Sequence, residues 1–168
     1  MKSWEDFCVE MNEGLDNPVD IKWVDKGSEL GGFFIVNEKV YSIICKNRGD
    51  NIWTYKFYRY DDKLLTPELS KNFDNNVFRV LPTVESGLYY LINLKNPSGI
   101  IYGALDKSEG RKKLYHSTSE KISEEFGFIY NTNRNNDKQI YILYKPTIDK
   151  EVIFNKVKEI IEENINEI

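Results

Sequence analysis

Cysteine and histidine are almost absent from this chain: its 168 residues include two cysteines, Cys8 and Cys45, and one histidine, His116. A structural zinc site needs several closely spaced N and S ligands, so no metal is expected. The two thiols fall in apolar stretches, one in an expected helix and one in an expected strand. In a cytosolic chain that predicts two buried, reduced cysteines and no disulfide. No apolar run reaches the roughly 18 residues of a membrane span, and no charged start leads into an apolar segment of signal-peptide type. Phosphate-loop and Gly-x-Gly-x-x-Gly sequences are missing. Positive charge is also short: 23 Lys and Arg against 27 Asp and Glu leave a net charge of −4 and a pI near 5.2. General nucleic-acid binding is therefore not expected, because affinity for phosphates comes from clustered cations.

The remaining composition is 40% hydrophobic and 14% aromatic, enough for a real core. The length fits one domain, residues 1–168. Heavy use of Asn, Lys, Ile and Tyr points to an AT-rich genome. Ser3 before Trp4, Glu5 and Asp6 predicts a capped helix carrying Phe7, Cys8, Met11 and Leu15. Alternation then predicts a strand over Val19 to Val24. A hairpin follows, with arms Phe33 to Val36 and Lys39 to Lys46 joined by Asn37–Glu38, and then a strand over Ile52 to Tyr60. In that last strand Trp53, Tyr55 and Phe57 should face one side, and Thr54, Lys56, Tyr58 and Tyr60 the other.

Asp61 to Asn76 reads as loop. Val77 to Leu81 reads as a strand, and Pro82–Thr83 as the start of a helix with Val84, Leu88, Leu91 and Ile92 on its apolar stripe. Ile100 to Leu105 is a short apolar strand of the doubly buried kind. A second helix follows Ser108–Glu109–Gly110, with Leu114, Thr118, Ile122 and Phe126 toward the sheet and Gly127 as its cap. Phe128 to Tyr130 and Gln139 to Lys145 pair as a hairpin. After Pro146–Thr147 comes a last helix striped by Ile153, Val157, Ile160, Ile161 and Ile165.

Short motifs in this order resemble small proteins of T4-like and other large tailed phages. They are Trp4–Glu5–Asp6–Phe7, then Lys95–Asn96–Pro97–Ser98–Gly99–Ile100–Ile101–Tyr102–Gly103–Ala104, then Arg111–Lys112–Lys113–Leu114–Tyr115, and finally Glu125–Phe126–Gly127–Phe128. The layout from Asn76 to Lys145 resembles GNAT-type acyltransferases: a meander, a central strand, a helix over the cofactor, a strand, a second helix ending in Gly-aromatic, and a hairpin. In that family a glycine-rich turn at the first helix cradles the pyrophosphate of coenzyme A. The matching place here reads Leu81–Pro82–Thr83–Val84–Glu85–Ser86–Gly87, with one glycine, a proline that has no amide and an acidic side chain. The usual tyrosine acid corresponds to Ser123. The resemblance therefore implies a GNAT-like scaffold without the cofactor cradle, and no cofactor is expected.

Leu114–Tyr115–His116–Ser117–Thr118 resembles the Leu-Tyr-His-Gly-Thr of ADP-ribosyltransferases, but four-residue apolar spacing reads as helix and makes His116 a half-exposed helical residue. Two sets of binding residues stand out. Arg111, Lys112 and Lys113 follow Gly110 at a helix start, where free amides and cations favour an anion or an acidic partner. Lys56, Tyr58, Arg59 and Tyr60 form an aromatic-basic strand end suited to a protein interface. No catalytic residue is assigned.

The expected fold is a single α/β (α+β) domain, with a mixed, mostly antiparallel central sheet flanked by helices. The expected role is that of a phage accessory protein in the host cytoplasm, without enzymatic activity, that binds and inhibits or redirects a host protein and touches no membrane. A homodimer through the C-terminal helix is the minor reading for that element. The functional alternatives are a GNAT-type acyltransferase with an atypical acyl-CoA loop and a nucleotide- or phosphate-binding or modifying protein using the Gly110–Lys113 helix start.

Overall fold

The computed structural model describes residues 18–60, 77–105 and 109–163. Seven strands make one mixed sheet: β1 (Lys22–Asp25), β2 (Glu29–Val36), β3 (Lys39–Asn47), β4 (Ile52–Tyr60), β5 (Gly99–Leu105), β6 (Ile129–Asn135) and β7 (Lys138–Tyr144). Their order across the sheet is β1-β2-β3-β4-β5-β7-β6. The helices are α1 (Val77–Lys95), α2 (Glu109–Phe126) and α3 (Lys150–Glu163). The expected α/β class is present, and so is the order of meander, helix, strand, helix and hairpin, without the separate strand expected between the meander and the first helix. The opening helix around Trp4, and Cys8 within it, lie outside the described residues.

Strands β1 to β4 form an antiparallel meander. Asn37 and Glu38 both have positive φ, 49° and 67°, as a two-residue hairpin turn requires if its twist is to match the strands. β4 and β5 are parallel neighbours, and β7 lies antiparallel between β5 and β6.

Alternation along the strands sorts the core into two layers. Trp53, Tyr55 and Phe57 of β4, Ile100 and Tyr102 of β5, and Tyr141 and Leu143 of β7 pack beneath Val84, Leu88 and Leu91 of α1 and Leu114, Tyr115 and Ile122 of α2. On the opposite face Ile52, Ile101, Ile140, Ile142 and Tyr144 receive Ile153, Val157 and Ile160 of α3. That apolar stripe of the last helix is consumed in the core, so a homodimer through α3 would have to use its outer face. Cys45 is a free, buried thiol, and burial pushes its pKa up.

Three expectations are corrected. Val77 to Leu81 is not a strand but the first part of α1, and Pro82 lies inside that helix. A short apolar run does not tell strand from helix by itself, and Pro82, the sixth residue of α1, leaves out the one helical bond its amide would make to the Phe78 carbonyl. The last hairpin is longer than expected and turns at Asn136 (φ 55°). Its β6 arm, Ile129–Asn135, is a polar edge strand without an alternating signal. Phe126 is 38% exposed, leaning on Tyr89 and Phe128, whereas Leu114 and Ile122 are buried as expected.

Candidate functional site

The parallel ladder between β4 and β5 is short. Ile52 stands opposite Gly99, Trp53 opposite Ile100 and Thr54 opposite Ile101, and there it ends. β4 stays paired with β3 as far as Tyr60, and β5 with β7 as far as Leu105. Beyond Thr54 and Ile101 the two strands therefore face each other across a gap, with backbone edges that do not pair with one another.

The side chains explain why the strands part. The Tyr55 hydroxyl donates to the Val84 carbonyl of α1 at 2.6 Å. Tyr102, level with it on β5, donates instead to Ser119 of α2, whose own hydroxyl is committed to the Tyr115 carbonyl. Each strand is tied to a different helix. Burial raises the pKa of both tyrosines, and that of Tyr115 beside them to about 12.

The parted end is also where α1 begins. Asn51 donates to the Asn96 carbonyl just past the end of α1, and Lys95 reaches Asp25 at 2.7 and 2.9 Å. The helix C-terminus is thus fixed at the joined end of β4 and β5. With Val84 beside Tyr55, the helix runs back along β4 and its N-terminus lies toward the opening. Its first turn contains no acidic residue and carries Arg79.

Arg111, in the first turn of α2, points into the same region. Its guanidinium carbon sits 4.0 Å from the centroid of the Phe57 ring. The residue is only 9% exposed, and Nε and Nη2 are buried with no hydrogen-bond partner. Burial lowers its pKa, with Tyr115 acting in the opposite direction. Lys138, at the start of β7, is lowered by burial first, against the nearby Asp137 carboxylate, and feels the Arg111 charge least. Its aliphatic stem passes 3.2 Å from where a Cβ on Gly103 would stand.

The three cations expected to form one surface patch are therefore separated. Arg111 faces inward. Lys112 pairs with Glu109 at 2.9 Å and, with Lys113, lines an outer groove of about 660 Å³ between α2 and the β6–β7 hairpin. His116 lies in that groove. It is helical as expected, with Nδ1 2.9 Å from the Tyr130 hydroxyl and Nε2 3.0 Å from Glu120. The strand-end set divides as well. Lys56 and Tyr58 share one sheet face, with the ammonium 4.9 Å from the ring. Arg59 lies on the other face, opposite Tyr41, and Tyr60 closes the β4 ladder.

The expected cofactor cradle, Leu81 to Gly87, is interior helix. Glu85 there accepts from Thr118 at 3.1 Å and pairs with Lys121, tying α1 to α2. Gly87 lets α1 approach the sheet: a Cβ would stand 2.5 Å from the Tyr55 hydroxyl oxygen and 2.8 Å from Ile43. Among the described residues no group of three or more His, Cys, Asp or Glu could hold a metal ion, and no helix is long and apolar enough to cross a membrane.

Phe57 and Tyr102 were not foreseen as site residues. The signal was present only in combination: a strand expected beside the helix that starts with Arg111.

No family profile matches this chain, and neither does any curated protein. Among solved structures it is similar to a mutant of the spermidine N-acetyltransferase SpeG from Vibrio cholerae. The identity is 10% and the TM-score 0.41, over 86% of this chain and 76% of that one. It is also similar to the N-acetyltransferase PseH of Campylobacter jejuni, at 11% identity and a TM-score of 0.41, over 85% and 82% of the two chains.

Proposed function

We propose that the cleft between β4 and β5 binds an extended, amide-bearing acyl carrier of the coenzyme A type, and that the protein works as an acyltransferase. The parting of the two strands carries this reading. Unpaired backbone edges inside a covered sheet are costly, and in open α/β sheets ligands collect beyond the carboxyl ends of parallel strands. The amide-containing arm of such a carrier can supply the missing strand-type hydrogen bonds. Its phosphates suit the first described turn of α1, which carries Arg79 and no acidic residue. A bound thioester supplies an acyl carbon open to attack by an amine. Tyr55 and Tyr102, as neutral hydroxyls, hold the two strand walls apart through their helices.

This departs from the expectation of no cofactor. That expectation rested on Leu81–Gly87, which is not at a helix start. The test is hydrogen exchange with and without acetyl-coenzyme A. Amides of β4 beyond Thr54 and of β5 beyond Ile101 should gain protection, with micromolar affinity by calorimetry. No binding of acetyl-coenzyme A or pantetheine at millimolar concentration would remove the reading.

A second reading is that of a phage accessory protein that binds a host protein. It is favoured by the outer face of the meander. Register places Val24, Phe33, Ile35 and Val40 on one side, with Lys22, Lys56 and Tyr58 among them. Phe33 and Ile35 are 49% and 63% exposed. An apolar face bordered by lysines fits a partner whose apolar residues are ringed by carboxylates.

A further inference from the structure

We infer that Arg111 anchors an oxyanion site in the parted end of the β4–β5 cleft, so that the ligand or acceptor used there carries a carboxylate or a phosphate. The inference rests on the acyl-carrier reading only for the cleft, and the anion stands on its own observations. A guanidinium stays charged in proteins. Removing one from water without matching its donors costs several kcal/mol, and buried polar groups are nearly always hydrogen-bonded. Yet Nε and Nη2 of Arg111 have no partner.

The Phe57 ring stacked on the guanidinium accepts no in-plane hydrogen bond. It orients the plane and leaves the N–H edge for something else. Nε and Nη2 together are the fork that meets two oxygens of one carboxylate or phosphate.

The surroundings also favour an anion. Lys138, on the opposite face of the sheet beside Ile140, feels the Asp137 carboxylate more than the Arg111 charge, so the site rests on Arg111. The N-terminus of α2 adds a partial positive charge in the same turn. Among the described residues the one carboxylate of that turn, Glu109, is turned to Lys112. Among the described residues the unmatched Arg111 fork and a helix start thus meet at one place. Phe57 and Tyr115 provide the apolar walls that strengthen such a contact.

The experiment follows the Arg111 Nε–H resonance by NMR while inorganic phosphate, or separately glutarate, is titrated into the full chain. One of the two should shift that resonance saturably, and which one does so tells a phosphate source from a carboxylate source. Arg111→Gln should weaken that binding at least tenfold, while Arg134→Gln, on the exposed β6 edge, should leave it unchanged. Without anion, Arg111→Gln should melt no lower than wild type, because it removes an unmatched buried charge.

Absence of a shift with both probes to 50 mM (on the order of a hundred times a sub-millimolar Kd) overturns the proposal. So does an Arg111→Gln protein that melts far below wild type, which would make the guanidinium a packing group. Acetyl-coenzyme A titrated into the same variants separates the two readings. Its binding without any anion response sinks the oxyanion site alone, and the reverse result sinks the acyl carrier alone.

Discussion

Gly87 sits where α1 crosses the sheet most closely, and its missing side chain decides how near the helix can come. Ala is the better helix former by about 1 kcal/mol. However, a Cβ 2.5 Å from the Tyr55 hydroxyl oxygen and 2.8 Å from Ile43 pushes on a buried, hydrogen-bonded ring. Overpacking of that kind typically costs about 1–3 kcal/mol. Gly87→Ala should therefore destabilise by about 1–2 kcal/mol in urea unfolding, and by clearly less in a Tyr55→Phe background, where the clashing oxygen is gone. Equal losses in both backgrounds would mean that the helix does not approach the strand here. Single residues of this kind were poorly legible in the sequence. Thr83 looked like a helix cap, but its hydroxyl accepts from the Val19 amide and donates to the Arg79 carbonyl from within the helix. Arg111 looked like surface charge, because nothing local distinguishes it from Lys112 and Lys113. Its inward direction comes from the packing of α2 on β5 and β7.

Elements were more legible where alternation ran against a clear background. β2, β3 and β4 each announce themselves by alternating or aromatic patterns, and β5 by its continuous apolar run. The start of α1 and the edge strand β6 did not, the first for want of length and the second for want of apolar residues. The divergence of β4 from β5 was illegible, because it depends on which helix each tyrosine reaches. The tyrosine layer between sheet and helices carries a pH prediction. The Tyr115 hydroxyl has its pKa raised from 10.0 to about 12 by burial, against a smaller opposite effect of Arg111. A group that holds its proton more tightly when folded contributes stability that is complete below the unfolded value. That contribution is lost as pH rises through the folded value. Stability should thus fall between about pH 10 and 12, by about 1.4 kcal/mol per pH unit for this one proton. Tyr115→Phe should flatten that limb in denaturant titrations at pH 9 to 11. An unchanged slope would place the hydroxyl in water.

At the scale of the molecule, among the described residues one face of the sheet lies under α1 and α2 and the other is covered by α3 only in part. Helix α3 covers Ile52, Ile101, Ile140 and Ile142, whereas Phe33, Ile35 and Val40, further along the same sheet, remain exposed. The run Phe33–Phe34–Ile35–Val36 hinted at this in the sequence. Phe34 and Val36 fill the core, so the other two had to point away from it. A solvent-facing β position usually carries polar residues, and a contiguous apolar face commonly marks an interaction site. With Lys22 and Lys56 beside it and a net charge of −4 for the whole chain, the face is a locally basic-apolar area on an acidic body. Such a surface steers an acidic-apolar partner and resists a second copy of the same chain. Ile35→Asp should leave the melting temperature nearly unchanged, since exposed substitutions away from special features usually stay within about 0.5 kcal/mol. It should abolish capture of any host protein that wild type retains at low salt, and that capture should weaken as salt rises. Sedimentation velocity decides against the alternative occupant. Wild type that dimerises with rising concentration while Ile35→Asp stays monomeric would make the face a homodimer interface. Capture that survives Ile35→Asp would move the partner site to the outer groove beside Lys112, Lys113 and His116.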